Sequence, residues 1–156
     1  MKRLYQCALF ALCTTAATLA HAASQSVVAS GIQVYYGIAP ASAAVKANVT
    51  HGSNGLARLF HAGSHHLVVS LADAKTGERI NDAAVVATVS PLGLTPTTRA
   101  LPPMEINNTI TYGNFFDFSP SSGPYHISLH ITRTSKGAQE PVIAEFEYRP
   151  AMTSGR

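Results

Sequence analysis

Residues 125–133 read YHISLHITR, and residues 142–148 read VIAEFEY. In both stretches every second residue is apolar: Tyr125, Ile127, Leu129, Ile131, Val142, Ala144, Phe146 and Tyr148. Side chains point alternately to the two faces of a β-strand, so each stretch predicts a strand with one buried face. A turn at residues 135–137 separates the two strands.

Similar alternation, bounded by Gly, Pro, Asn and Ser, recurs from Gly31 to the end of the chain. No window holds a helical period longer than two turns. Further strands are predicted at residues 32–36, 66–72, 83–89 and 109–118. About seven short strands at this spacing indicate an all-β fold, an immunoglobulin-like antiparallel sandwich of two sheets.

Three connections add detail to this prediction. Residues 73–79 form a turn with Gly77, so we expect the strands on either side of it to form a hairpin-like pair. Pro102 and Pro103 restrict residues 99–104 to a sheet edge, because proline donates no ladder hydrogen bond. Gly113 predicts a bulge in its strand.

Tyr125 follows Gly123 and Pro124 at the start of its strand. In a tyrosine corner its hydroxyl would bind the backbone upstream. A tyrosine that only packs at the edge of the core is the alternative.

Residues 1–22 have the order of a secretory signal: Lys2 and Arg3, an apolar stretch over residues 4–19, and a small-residue site ending at Ala22. A membrane anchor is the alternative, but the stretch is short and holds several threonines. We therefore predict a periplasmic domain at residues 23–150 and a tail at residues 151–156, with no stable membrane insertion after processing.

Removal of the signal changes two counts. Cys7 and Cys13 both leave with it, so the processed chain would have no disulfide and no thiolate ligand. Nine of the eleven basic residues remain against eight acidic ones, and no basic run occurs. Nucleic acid is therefore not expected as a partner.

Residues 71–83 read LADAKTGERINDA and lead into the strand at Val85, and a Gly-Pro-Tyr strand follows much later. This order resembles small secreted immunoglobulin-like domains of the YtkA-like and CopC-like kind, over about residues 64–148. The resemblance implies a periplasmic sandwich, with copper handling in some relatives.

Histidine is the chemically conspicuous residue type. His61, His65 and His66 lie within six residues around a Gly-Ser turn. Imidazoles grouped in this way suit Cu(II), zinc or nickel, and Met104 is the soft ligand that would favour Cu(I). We therefore predict a late transition metal, with copper first, bound by His61, His65, His66 and Met104.

Strand geometry limits this set. His65 and His66 would point to opposite faces of a regular strand, so both can be ligands only if the strand begins later or is bulged. If successive strands simply alternate in direction, Met104 lies at the far end of the sandwich, and His126 and Asp117 are nearer to the cluster. If residues 99–104 are instead a crossover, Met104 returns to the histidines. His126 and His130 lie four residues apart on one strand face, about 13 Å, and form no chelating pair.

Enzyme chemistry finds no support in the sequence, since no nucleophile elbow and no paired carboxylates are evident. The predicted function is a non-enzymatic periplasmic binding protein for copper or a similar metal. The alternative is an interaction module for an envelope protein partner. Phe115 and Phe116 would face opposite sides of a strand, and an exposed one would favour that alternative.

Overall fold

The computed structural model describes residues 25–41, 64–106, 108–119, 123–135 and 140–150. Nine strands account for most of them: β1 (Ser26–Ala29), β2 (Ile32–Pro40), β3 (Ser64–Asp73), β4 (Ala83–Pro91), β5 (Thr97–Leu101), β6 (Pro103–Ile106), β7 (Thr109–Asp117), β8 (Tyr125–Arg133) and β9 (Val142–Tyr148). The signal peptide, the tail and His61 lie outside the described residues. Among the described residues, no helix has the length and apolar character needed to cross a membrane.

The strands form two antiparallel sheets. One has five strands in the order β1-β2-β3-β7-β6, and the other has four in the order β5-β4-β8-β9. The core lies between them and is built mainly from alternate residues of β2, β3, β4 and β8, with Tyr112 and Phe116 of β7. In β8 these are the predicted apolar residues: Tyr125, Ile127, Leu129 and Ile131, each at most 2% exposed. The predicted all-β, two-sheet sandwich is confirmed.

One pairing prediction is wrong. β3 and β4 lie in different sheets, because β3 pairs with β2 and β7 while β4 pairs with β5 and β8. The turn after β3 is formed as predicted: Asp73 Oδ1 accepts hydrogen bonds from the backbone of Lys75 and Thr76, both at 2.9 Å. After the turn the chain bonds briefly back to β3, where the Ile80 N–H donates to the Leu71 carbonyl oxygen at 3.0 Å, and Ile80 is buried in the core. The chain then crosses to the second sheet.

The predicted bulge in β7 is also wrong. In the described pairing, successive residues of β3 from Ser64 to Val69 face successive residues of β7, including Gly113 opposite Val68. Gly113 therefore does not mark a bulge. It leaves open space on the outer face of the five-stranded sheet, the face that points away from the core.

The tyrosine corner is confirmed. The Tyr125 hydroxyl accepts a hydrogen bond from the Ser119 backbone N–H at 2.6 Å and lies 3.2 Å from the Ser119 carbonyl oxygen. Its ring meets Phe118 edge-on at 4.9 Å. These contacts tie the start of β8 to the end of β7.

Residues 97–106 form two edge strands in different sheets. β5 pairs with β4, and after Leu101 the chain moves to the other sheet, where β6 pairs with β7. The restriction to edges that the prolines predicted is confirmed, and the segment is a crossover. This crossover decides where Met104 lies.

Candidate metal site

The site lies on the outer face of the five-stranded sheet, the face that points away from the core. In β3, Leu67 and Val69 belong to the core, so His66, the residue just before Leu67, points outward. In β7, Tyr112 and Phe116 belong to the core, and Gly113 lies on the outward set of positions.

Cross-strand register brings the outward residues together. His66 pairs with Phe115 in β7, and Met104 in β6 pairs with Thr111 in β7. Directly opposite residues of antiparallel strands share a face. His66 and Met104 therefore lie on the same face, on the two strands that flank β7.

Gly113 leaves the space in which these two side chains meet. A Cβ atom placed on Gly113 would lie 2.9 Å from His66 Nε2 and would overlap the terminal methyl carbon of Met104. The imidazole nitrogen and the thioether end thus border one small volume over the glycine. A glycine in a strand interior often marks such a close approach.

His66 is held in this place by packing. It is 2% exposed, and its ring centroid lies 4.7 Å from that of Phe115. Phe115 is itself buried and packs with Ala41, apart from the main core. Phe116 is buried in the main core, so neither aromatic residue is the exposed surface that would have favoured a partner-binding module.

His65 lies on the other face of β3. It belongs to the same alternate set as Leu67, and its ring meets Phe118 edge-on at 5.8 Å. β3 begins at Ser64, before both histidines, and its pairing with β7 has no bulge there. The two conditions under which His65 and His66 could both be ligands, a later strand start or a bulge, are therefore not met.

The outer face of the four-stranded sheet carries His126 and His130, both exposed. His126 Nε2 lies 3.9 Å from Glu145 Oε2, an ion pair when the histidine is protonated, with both side chains more than half exposed. Neither histidine belongs to the sheet that holds His66.

The donor set in the described part of the chain is therefore one imidazole and one thioether. No three residues among the described His, Cys, Asp and Glu lie close enough together to hold a metal ion. Sequence reasoning named both His66 and Met104 but missed Gly113. The available signal was the position of this glycine inside a predicted strand, a pattern that is also typical of a bulge.

Comparison with known proteins shows which solved structures have a similar fold. No protein-family model and no curated protein matches the chain. FetP of uropathogenic Escherichia coli superposes with a TM-score of 0.56 at 17% identity, covering 81% of this chain and 93% of FetP.

Two other solved structures cover the same share of this chain. A copper-bound variant of Campylobacter jejuni P19 gives a TM-score of 0.59 at 11% identity and 94% coverage of that protein. A DUF4426 family protein of Pseudomonas aeruginosa gives 0.53 at 14% identity and 98% coverage. The chain thus has the two-sheet fold of these proteins, as the resemblance to CopC-like domains implied.

Proposed function

We propose that this protein is a non-enzymatic, periplasmic binding protein that holds copper through His66 and Met104. The observation that carries the proposal is their convergence over Gly113, where one methyl group would contact both. His66 alone would be an ordinary buried histidine, and Met104 alone would be a packing residue at an edge. The approach of both side chains to one point above a residue without a side chain supports a role for them as a ligand pair.

The chemistry of this pair favours the reduced ion. A thioether is a soft ligand that selects Cu(I), and neutral imidazole binds copper in either state. The copper-bound structures of FetP and P19, which share the fold, support copper among the soft metals. When bound, copper would be held by the His66 nitrogen and the Met104 sulfur, while Phe115 keeps the imidazole in place.

His61 remains a proposed further ligand. It stands three residues before Ser64, the first residue of β3, and lies outside the described residues. His65 is not included in the proposed set, because its side chain belongs to the opposite face of β3.

The test is titration of the processed protein with Cu(I), with Ag(I) as a redox-inert soft ion, and with Cu(II). We expect one tight site for Cu(I) and Ag(I). Met104→Leu should weaken both ions by at least about tenfold, because the soft ligand is lost while the volume is kept. His66→Gln should abolish tight binding.

His130→Ala is the matched control, since His130 is exposed on the other sheet. It should leave all affinities unchanged. Equal Ag(I) affinity in the wild type, Met104→Leu and His66→Gln would refute the site. Failure of the wild type to bind any of the three ions would favour the envelope interaction module.

A further inference from the structure

Met104 sits in a weakly anchored strand. β6 has four residues, and it follows Pro102 and begins with Pro103. Proline has no N–H, so this end of β6 has fewer donors for ladder hydrogen bonds than an ordinary strand. Within the described residues, β6 pairs with β7 from Thr109 to Tyr112, and the rest of β7 extends beyond it.

The part of β7 beyond this pairing is bonded to the residues that precede β6. Arg99 Nη1 donates to the Phe115 carbonyl oxygen at 2.5 Å. Asn114 Nδ2 donates to the Ala100 carbonyl oxygen at 2.7 Å. The Gly113 N–H donates to the Pro102 carbonyl oxygen at 3.2 Å. We call these three contacts the crossover clamp.

Asn114 is the centre of the crossover clamp. While its Nδ2 reaches Ala100 in the other sheet, its Oδ1 accepts the Phe115 backbone N–H at 2.8 Å. One amide side chain therefore connects β5 of the four-stranded sheet to β7 of the five-stranded sheet. Alanine can make neither bond, and aspartate can keep only the acceptor.

The clamp sets where the chain leaves β5 and enters β6. The Pro102 carbonyl is fixed against the Gly113 N–H, and Met104 follows Pro102 by two residues. Two residues of extended chain span about 7 Å, so the Met104 backbone must lie within about 7 Å of Pro102. The clamp also contacts the residues that frame the site, since Gly113 provides the space and Phe115 packs on His66.

We propose that Asn114 and Arg99 are positioning residues that hold Met104 against His66, and so confer the preference for soft monovalent ions. This inference rests on the proposed function, because it assigns a role in the same site. Neither residue is a ligand: both act through the placement of Met104. Loss of the clamp releases the thioether and leaves His66 in β3.

The test is a double-mutant cycle on Ag(I) affinity, with Asn114→Ala introduced into the wild type and into Met104→Leu. We expect Asn114→Ala to weaken Ag(I) binding by about tenfold in the wild type, the lower end of what outer-shell partners contribute. In the Met104→Leu background it should change the affinity little, because the thioether that it positions is already gone.

Two further variants complete the test. Asn114→Asp keeps the acceptor for Phe115 and removes the donor to Ala100, so it should reproduce the loss even if Asn114→Ala is poorly folded. Thr98→Ala is the matched control. It removes the hydroxyl pair between Thr98 and Thr88, 2.9 Å apart, which ties β5 to β4 and is not one of the three contacts of the crossover clamp. It should leave Ag(I) affinity unchanged.

The outcomes separate the two proposals. If Met104→Leu binds Ag(I) as tightly as the wild type, the proposed function is wrong. If Met104→Leu is weaker but the Asn114 variants match the wild type, the clamp has no positioning role. Equal losses in both backgrounds would also overturn the inference, since they would show a general structural effect that does not act through Met104.

Discussion

The outer faces of the two sheets both carry histidine, but the histidine is buried on one sheet and exposed on the other. Each carries histidine at an outward strand position: His66 on the five-stranded sheet, and His126 and His130 on the four-stranded sheet. His66 is 2% exposed beside an aromatic ring and a thioether, whereas His126 and His130 are exposed. A histidine in an alternating strand is therefore not by itself a candidate ligand.

The difference comes from the neighbouring strands. Across from the His66 region, β7 contributes one buried aromatic residue, Phe115, and one position without a side chain, Gly113. Across from His130, β4 contributes Val86 and β9 contributes Ile143, which is 51% exposed. Of these two places, only the one beside His66 has both the aromatic cover and the open space that the proposed ligand pair needs.

Truncation of the aromatic cover should give the largest effect. Phe115→Ala removes a buried ring that packs on His66 and Ala41, and we expect a loss of about 3 to 5 kcal/mol in the free energy of unfolding. Ile143→Ala, on the outer face of the other sheet, should change it by no more than about 0.5 kcal/mol. Urea unfolding measures both values, and similar losses would show that the two faces are equally covered.

Filling the space should give a smaller loss of stability. A Cβ at position 113 overlaps the Met104 methyl and lies 2.9 Å from the Leu67 carbonyl oxygen, which is backbone and cannot move aside freely. Gly113→Ala should therefore cost about 1 to 3 kcal/mol and weaken Ag(I) binding.

Gly37→Ala is the control for that substitution, because Gly37 lies in β2 of the same sheet and a Cβ there meets nothing within 4 Å. It should keep Ag(I) affinity and the free energy of unfolding, or raise the latter slightly. Equal effects of the two substitutions would show that the close approach over Gly113 does not occur.

The smallest effect concerns Asp82, which lies directly before β4 at one end of the four-stranded sheet. The Ser135 hydroxyl donates to the Asp82 carboxylate, whose Oδ1 also lies 2.8 Å from Arg133 Nε, and together these contacts lower the pKa of Asp82 to about 2. The ordinary value is 3.8. The folded protein thus binds this proton at lower pH than the unfolded chain, so the contribution is present above about pH 4 and is lost as the pH falls towards 2.

Asp82→Asn should therefore flatten the decline of unfolding free energy between about pH 4 and 2 relative to the wild type. An unaltered acid profile in Asp82→Asn would show that the contacts of Asp82 do not stabilise the fold.

Removal of the exposed His126 and Glu145 pair by His126→Ala should leave the unfolding free energy at neutral pH within about 0.5 kcal/mol of the wild-type value. A large loss in His126→Ala would show that the outer face of the four-stranded sheet is less solvated than its exposure indicates.

Much of the fold was predictable because strands and turns are encoded by sequence patterns that span only a few residues. The alternation in β8 and β9, the Asp73 turn and the Tyr125 corner all depend on residues within a few positions of one another. The separation of His65 from His66 follows from strand alternation alone. Pairing of β3 with β4 was predicted wrongly, because a short turn is compatible both with a hairpin and with a crossing to the second sheet.

The candidate site was predictable only in its residue types. Histidine density identified His66, and because both cysteines lie in the predicted signal, a thioether such as Met104 was the type of soft donor left to consider. Their proximity depends on β6 joining β7, a hairpin whose paired residues are 3 to 9 positions apart, and on β7 joining β3, whose paired residues are 43 to 53 positions apart. No local pattern predicts the pairing of β7 with β3 or the change of sheet between β5 and β6, so the sequence left the position of Met104 open.

By itself, the sequence determined the all-β class, the buried face of its main strands and the donor types that a metal could use, since these depend on local periodicity and side-chain chemistry. The tertiary structure decided which strands are neighbours, that residues 97–106 change sheets, and that Gly113 opens a space between His66 and Met104. The physical reason is that side-chain alternation fixes a face for each residue, whereas only strand order and register bring two distant residues onto the same part of that face.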